Sequence, residues 1–509
     1  MHITLINPPA LVGKYAYSAF SHPPLGLGYI AACLRQEGHA VQVIDAVGEA
    51  IARFATYLPN RNFLLQGLSA DGILAAISPE TGLIGFSCMF THAWPATRGL
   101  IHKTNRLFPK IPLVAGGEHP TALPALCLKQ APLTACVLGE GEATMVELAK
   151  TITANKDLAT VSGIATRNDR TGEITTTAPR RPILDLDCLP WPAWDLIPWE
   201  KYHLYVGPVS CRTMPMLSTR GCPYHCAFCT AAAMWGGIWR KRSPAGITRE
   251  LRHNIRRYGI QEFQFFDISS LIDRRWVKAL CRQILKERLD IKWNMPVGNR
   301  SEVIDKDTAR LLVRSGCDYI QFAPESGSPR VLKKMNKKMD LDHLLLAIKA
   351  ATDAGMRVCA LFIIGYPGET MADIRLTYHL IRRLARSEVR EIAISSFALL
   401  PGTPIFHELR QRQTITLNDD FFYQAAGATA FGLSHSWNPP FGRRRLMVLK
   451  WLGLIQFYGL SFLYHPHRPL NLLRNLRRGR QETKMDRVLR EISEKIKRRF
   501  STLPFRRHG

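Results

Sequence analysis

Residues 218–229 read Ser-Thr-Arg-Gly-Cys-Pro-Tyr-His-Cys-Ala-Phe-Cys, and the three thiols at Cys222, Cys226 and Cys229 decide how the rest of the chain is organised. The gaps are three and two residues, short enough for one loop to carry all three. Thiolates are the usual ligands of iron–sulfur clusters. Three on one loop can hold three irons of a cubane and leave the fourth open to a substrate. A structural zinc site takes four closed ligands, usually as two separated pairs. No second pair lies nearby, and Cys211 is the only spare. The segment therefore reads as a [4Fe-4S] loop, with Cys222, Cys226 and Cys229 as both metal ligands and catalytic residues.

Downstream, short apolar runs alternate with helical patterns. The expected strands are Met216–Ser218, Glu262–Phe266, Lys292–Pro296, Tyr319–Phe322, Arg357–Ile364 and Glu391–Phe397, with helices such as Asp305–Arg314 and Leu341–Ala354 between them. Six βα units predict a full or partial (β/α)6 barrel over residues 206–410, with its site at the carboxyl ends of the strands. Upstream, Ile3–Ile6, Ala40–Ile44, Leu83–Ser87, Pro112–Ala115 and Ala135–Leu138 alternate with helical stretches such as Leu25–Glu37 and Ala93–Leu107. This predicts a doubly wound, Rossmann-like parallel sheet over residues 1–150, which binds ligands beyond its carboxyl edge. Residues 151–205 read as a connector, and 411–509 as a helical, basic terminal region.

The cysteine pattern resembles the radical S-adenosylmethionine (SAM) superfamily. Phe228 is aromatic, as is usual before the last cysteine there. Pro324-Glu325-Ser326-Gly327 resembles that family's Glu-Ser-Gly element, Ile364-Gly365-Tyr366-Pro367-Gly368-Glu369-Thr370 its Gly-x-Pro-Gly-Glu-Thr turn, and Pro401-Gly402-Thr403-Pro404 its late Pro-Gly-Thr element. The resemblance implies that the open iron chelates SAM and that one-electron reduction yields a 5′-deoxyadenosyl radical. Phe228, Glu325, Ser326 and Gly365 are then expected beside SAM, with Arg300 on its carboxylate or in an ordinary salt bridge. Asp267 either faces the cavity or caps a turn. An external one-electron donor of flavodoxin or ferredoxin type is implied as a partner.

A doubly wound domain ahead of such a barrel resembles the cobalamin-binding class of the same superfamily. Pro23-Pro24-Leu25-Gly26-Leu27-Gly28 looks like the opening helix of that class. Ser87-x-Met89, Gly116-Gly117 and Gly139-Glu140-Gly141-Glu142 fall where it has its cobalamin elements. Ser87, Met89, Gly116, Gly117, Gly139, Glu140 and Gly141 are thus expected at cobalamin, the small residues admitting its nucleotide tail. The Asp-x-His-x-x-Gly loop of the wider cobalamin-binding pattern is replaced by Asn7-Pro8-Pro9-Ala10-Leu11-Val12-Gly13, so no histidine from that loop is expected on cobalt. His92 and His119 are read either as approaching the corrin or as polar loop residues.

The resemblance implies a cobalamin-dependent radical SAM methyltransferase acting on an unactivated carbon. An alternative is an oxidative cyclase or rearrangement enzyme, similar to the anaerobic tetrapyrrole cyclases, without methyl transfer. A tRNA methylthiolating enzyme would need a further cysteine set near the amino terminus, and Cys33, Cys88, Cys127 and Cys136 show no clustered spacing.

The chain has 509 residues, 46% hydrophobic, with a formal charge of +27. Met1 leads straight into the first apolar run without a basic leader, and 12 cysteines without such a leader suggest a reducing, cytoplasmic setting. From Arg443 to Gly509 there are 18 Lys/Arg against 4 Asp/Glu, so half the excess charge sits in the tail. There Leu446–Tyr464 is nearly continuous apolar sequence and Leu470–Arg499 reads as a basic helix. Basic flanks beside an apolar aromatic segment suit peripheral attachment to the inner face of a membrane, and hence a small-molecule or lipid-like substrate. The competing reading is a buried helix capping the barrel. No aromatic-studded RNA module is present, which disfavours nucleic acid.

Overall fold

A computed structural model describes residues 1–14, 22–168, 170–202, 213–412, 415–427, 434–478, 483, 485–486 and 489–490. Cys211 and much of the expected basic helix beyond Arg478 lie outside the described residues.

The amino-terminal strands are β1 (His2–Asn7), β2 (Ala10–Gly13), β3 (Ala40–Asp45), β4 (Phe54–Thr56), β5 (Phe63–Gln66), β6 (Thr81–Ser87), β7 (Leu113–Gly116), β8 (Ala135–Val137), β9 (Ile164–Arg167) and β10 (Ile174–Thr176). Seven of them form one sheet in the order β10-β9-β8-β7-β6-β1-β3, parallel from β3 to β8. Ile3, Leu5 and Ile6 are all buried, on both faces of β1, because helices cover the sheet on both sides. The five expected strands appear within two residues of their expected bounds. The expected connector contributes more than a linker. Its turn-rich piece Arg167–Gly172 joins β9 to β10, and this hairpin adds antiparallel to the open edge of β8, so the sheet continues past residue 150. A second, three-stranded antiparallel sheet, β2-β5-β4, was not expected; β4 is short and exposed and carries no apolar alternation.

The second βα series holds β11 (Thr213–Met216), β12 (Thr219–Arg220), β13 (Arg240–Lys241), β14 (Glu262–Phe265), β15 (Lys292–Asn299), β16 (Cys317–Glu325), β17 (Arg357–Ile364) and β18 (Glu391–Ser396). β11, β14, β15, β16, β17 and β18 pair in that order, all parallel, as a six-stranded partial barrel. Phe263, Phe265, Trp293, Phe322 and Phe362 fill its core. β12 and β13 form a small antiparallel hairpin flanking the cysteine loop. The helix Arg443–Tyr464 packs on the helix Met371–Ala385 through buried Leu446, Leu449, Gly453 and Phe457, and Tyr378 Oη donates to Leu449 O over 2.6 Å.

Candidate cofactor and active site

The cysteine loop runs from β12 to the short helix Ala231–Trp235. Its start requires glycine: Gly221 has φ +82°, and a Cβ there would overlap Ile238 O. The loop is pinned from outside. Ala227 N donates to Met335 O (2.8 Å), Asn336 Nδ2 to His225 O (2.7 Å) and Ile405 N to Ala227 O (3.0 Å). Cys226 is buried, while Cys222 and Cys229 are half-buried. Burial pushes the Cys229 thiol up to about 11 and raises that of Cys226, with Lys337 and Arg300 acting against burial at Cys226. Ligation to a metal deprotonates a thiol outright, and these two cations suit the resulting anionic cluster. The donor set, three thiolates on one loop, is the chemistry of an iron–sulfur cluster.

Beside the loop, β16 ends at Glu325 in the left-handed region (φ +64°). Its carboxylate meets Lys337 Nζ at 2.9 Å, both side chains under a tenth exposed. Burial opposes charge on Lys337, but Glu325 holds the ammonium above its usual range. Lys337 Nζ lies 5.9 Å from the Phe228 ring centroid, so Glu325, Lys337 and Phe228 gather where SAM is expected. Three other expected SAM contacts are engaged elsewhere. Ser326 Oγ lies 3.1 Å from Thr377 Oγ1 and accepts from Ser328 N. Arg300 binds Glu302 and the carbonyls of Lys337 and Lys338, and stacks 3.7 Å over the Tyr224 ring. It braces the cluster loop through Tyr224, and the salt-bridge alternative describes it. Gly365 (φ +80°) turns the chain so that its N–H donates to Glu369 Oε2 at 2.6 Å. Asp267 is a cap: it accepts from Ser218 N (2.7 Å), Ser218 Oγ and Thr219 N (3.1 Å), and burial raises it to about 6.

A cavity of about 430 Å³ opens between the carboxyl edge of the first sheet and the entry to the barrel. Ser87, Met89, Gly116, Gly117, Gly139, Glu140 and Gly141 all line it, as expected for cobalamin. The barrel side adds Leu217, Arg220, Met234, Trp235 and Phe266. Gly117 has φ +120°, and a Cβ there would lie 2.6 Å from Cys88 O. The small residues leave backbone bare along one wall, which fits the tail of a corrinoid; the wide apolar walls fit its ring.

Glu140 and Glu142 also join the first domain to the β12–β13 hairpin. Glu140 Oε1 lies 2.6 Å from Arg240 Nη2, Glu140 Oε2 accepts from Ile183 N, and Glu142 Oε1 lies 2.5 Å from Arg220 Nη2. Sequence reasoning placed Glu140 at the corrin edge and missed both arginines. Their signal was their flanking position around the cysteine loop. His119 is a core residue packed on Trp94 and Phe422, lowered to about 3 by burial. His92 stacks on Phe90, and neither histidine lines the cavity. His22, which sequence reasoning passed over, does line it, tilted against Phe266 at 5.1 Å.

Residues 216–381 match the radical SAM superfamily and residues 15–149 the B12 binding domain. The chain is 30% identical over 437 residues to the cytidylyl-2-hydroxyethylphosphonate methyltransferase of Streptomyces wedmorensis, covering 79% of each. It is 26% identical over 388 residues to the anaerobic magnesium-protoporphyrin IX monomethyl ester cyclase of Rubrivivax gelatinosus, covering 75% of this chain and 66% of the cyclase. In fold it is similar to the radical SAM methyltransferase TsrM from Kitasatospora setae, solved with tryptophan substrate and the SAM analogue aza-SAM. That likeness has a TM-score of 0.67 at 17% identity and covers 98% of this chain and 100% of TsrM. With the two domain matches falling on the two sheets, and a methyltransferase relative aligned along most of both chains, the chain belongs to the cobalamin-dependent radical SAM methyltransferase family.

Proposed function

We propose that the enzyme methylates an unactivated carbon of a small hydrophobic or natural-product substrate. The observation that carries this reading is the position of the cavity: Arg220, Met234 and Trp235, which flank the cysteine loop, also wall the cobalamin space. When bound, the cluster with SAM supplies a carbon-activating radical, and cobalamin supplies the methyl group. The chain's own residues hold and orient. Cys222, Cys226 and Cys229 hold the cluster; Glu325, Lys337 and Phe228 border the SAM space; the glycine wall seats the corrinoid; Met89, Phe90, Met234 and Trp235 shed water from the space between. The enzyme needs an external one-electron reductant. The test is to express it in a host fed methionine carrying a deuterated methyl group and to compare apolar extracts with and without it. Label in a new apolar product, with S-adenosylhomocysteine and 5′-deoxyadenosine formed alongside, supports the reading. The likeness to the magnesium-protoporphyrin cyclase favours a second reading, which a product without added methyl would select.

The same reading places the enzyme in the cytoplasm, at the inner face of a membrane. The helix Arg443–Tyr464 is long and apolar enough to cross a membrane by length and composition, yet its inner face packs on the barrel. Val448, Leu452, Ile455 and Leu463 form an exposed stripe on its other side. Residues 443–478 carry eight Lys/Arg and no Asp/Glu. An outward apolar stripe between basic flanks suits lying on an anionic lipid surface. Co-sedimentation with vesicles containing phosphatidylserine, lost in Leu452→Glu/Ile455→Glu, tests it. Equal recovery of the double variant would sink it.

A further inference from the structure

Arg220 is the last residue before Gly221-Cys222, yet its side chain leaves the barrel and enters the amino-terminal domain. Its side chain is 5% exposed. It lies 5.0 Å from the Tyr29 ring centroid on the helix Leu25–Gln36 and 5.8 Å from that of Trp235. Nη2 is engaged by Glu142. Nη1 has no hydrogen-bond acceptor among the described residues; the closest carboxylate oxygen, Glu140 Oε1, is 3.9 Å away. Arg240 sits directly across the β12–β13 pair, its Nη2 2.6 Å from the same Glu140 Oε1, while Glu140 Oε2 accepts from Ile183 N. Burial opposes the Arg220 charge, and Glu142 more than restores it. The result is a permanently charged donor in a residue of the cavity wall, with one buried N–H lacking a hydrogen-bond acceptor among the described residues.

A buried donor without a partner is costly in a native structure unless a ligand satisfies it. We infer that Arg220 Nη1 donates to a carboxamide carbonyl on the rim of bound cobalamin, and that Arg220 thereby couples cobalamin occupancy to the cysteine loop that begins two residues later. The corrin rim carries primary carboxamides, whose carbonyl oxygens are strong neutral acceptors and bring no second charge into the buried Arg–Glu set. Arg220 is a positioning residue in this arrangement. One end of its fork is fixed by Glu142, the other by the ligand, and its backbone sets the entry to Cys222. The ion pair alone would explain an interface clasp, but Arg240 already makes one and does not line the cavity.

The inference rests on the cobalamin reading of the cavity. Its test uses full-length protein with its cluster reconstituted, prepared without cobalamin and titrated with hydroxocobalamin. Arg220→Lys keeps the charge and the reach to Glu142 but loses the second donor arm. It is expected to weaken binding about tenfold, while Arg240→Lys, which disturbs the same clasp away from the cavity, stays near wild type. In the unaltered protein, hydroxocobalamin is expected to slow amide exchange across residues 219–229. Cobalamin is also expected to change the electron paramagnetic resonance signal of the reduced, SAM-bound cluster in wild type and not in Arg220→Lys. Equal affinity of Arg220→Lys and wild type, or equal losses in Arg220→Lys and Arg240→Lys, would overturn the role of Arg220. So would amide exchange over 219–229 that is blind to cobalamin. Failure of wild type to bind hydroxocobalamin would instead overturn the cavity assignment.

Discussion

Lys337 Nζ lies 2.9 Å from Glu325 Oε1, and the pair closes the carboxyl end of β16 against the cluster loop. Lys337 belongs to the turn whose backbone holds that loop, and its carbonyl accepts from Arg300. One buried ion pair therefore links the strand end, the loop brace and the Phe228 ring.

Removing one member leaves the other charge buried and uncompensated. Lys337→Met is expected to cost about 3 kcal/mol of stability and to lower cluster retention. Anaerobic guanidinium unfolding beside iron analysis checks this; a midpoint equal to wild type would refute it.

Two adjacent glycines separate folding from binding. At Gly117 the positive φ and the 2.6 Å approach to Cys88 O forbid a side chain, so Gly117→Ala is expected to cost about 2–3 kcal/mol. At Gly116 a Cβ would meet Val137 at an ordinary 3.5 Å, so Gly116→Ala should fold normally yet bind cobalamin less tightly, because the added methyl enters the cavity wall. Melting curves and cobalamin titration of both variants give the comparison; similar melting points for the two would contradict the geometry.

Alanine at Cys222, Cys226 and Cys229 together should remove the iron–sulfur absorbance and SAM cleavage while hydroxocobalamin still binds, since the cavity is walled by other residues. Persistent 5′-deoxyadenosine formation would be incompatible with the assignment.

Asp267 is held up at about 6 against an ordinary 3.8. The folded state therefore binds its proton more tightly than the unfolded state, and this contribution, up to about 3 kcal/mol, is present below pH 3.8 and lost as pH rises through 6. Asp267→Asn keeps an acceptor for Ser218 N and Thr219 N without the charge. It should be at least as stable as wild type at about pH 7.5, and its stability should fall less between about pH 4 and 6. Parallel stability–pH curves for the two proteins would exclude this role.

Much of the fold was legible because its signals are local. Strand–helix alternation needs only the hydrophobic period, and both sheets appear, the first with its five expected strands within two residues of their bounds and the second with β11 at Thr213–Met216 in place of the expected Met216–Ser218. The cysteine loop was legible because three ligands on one loop need no tertiary contact to be recognised. The glycine wall was legible for a similar reason: positive φ and close backbone approach restrict the residue type itself, as Gly117 and Gly221 show.

What the tertiary structure decided is which polar groups meet. Ser326, Arg300 and Glu140 are of suitable type to touch a cofactor. Ser326 instead faces Thr377 and Arg300 stacks on Tyr224, while Glu140, though in the cavity wall, pairs with Arg240. A short motif fixes where a side chain starts, but its partner comes from a segment tens of residues away and depends on how the elements pack. The β9–β10 edge hairpin and the Arg220–Glu142 pair are of this kind. By itself the sequence determined the family and its cofactors and offered Cys222, Cys226 and Cys229 as the expected iron ligands, since these depend on residue type and spacing. Only the tertiary packing decided that the arginine beside Gly221-Cys222 reaches the cavity between the two sheets, because a buried charge settles wherever the fold supplies its counter-charge.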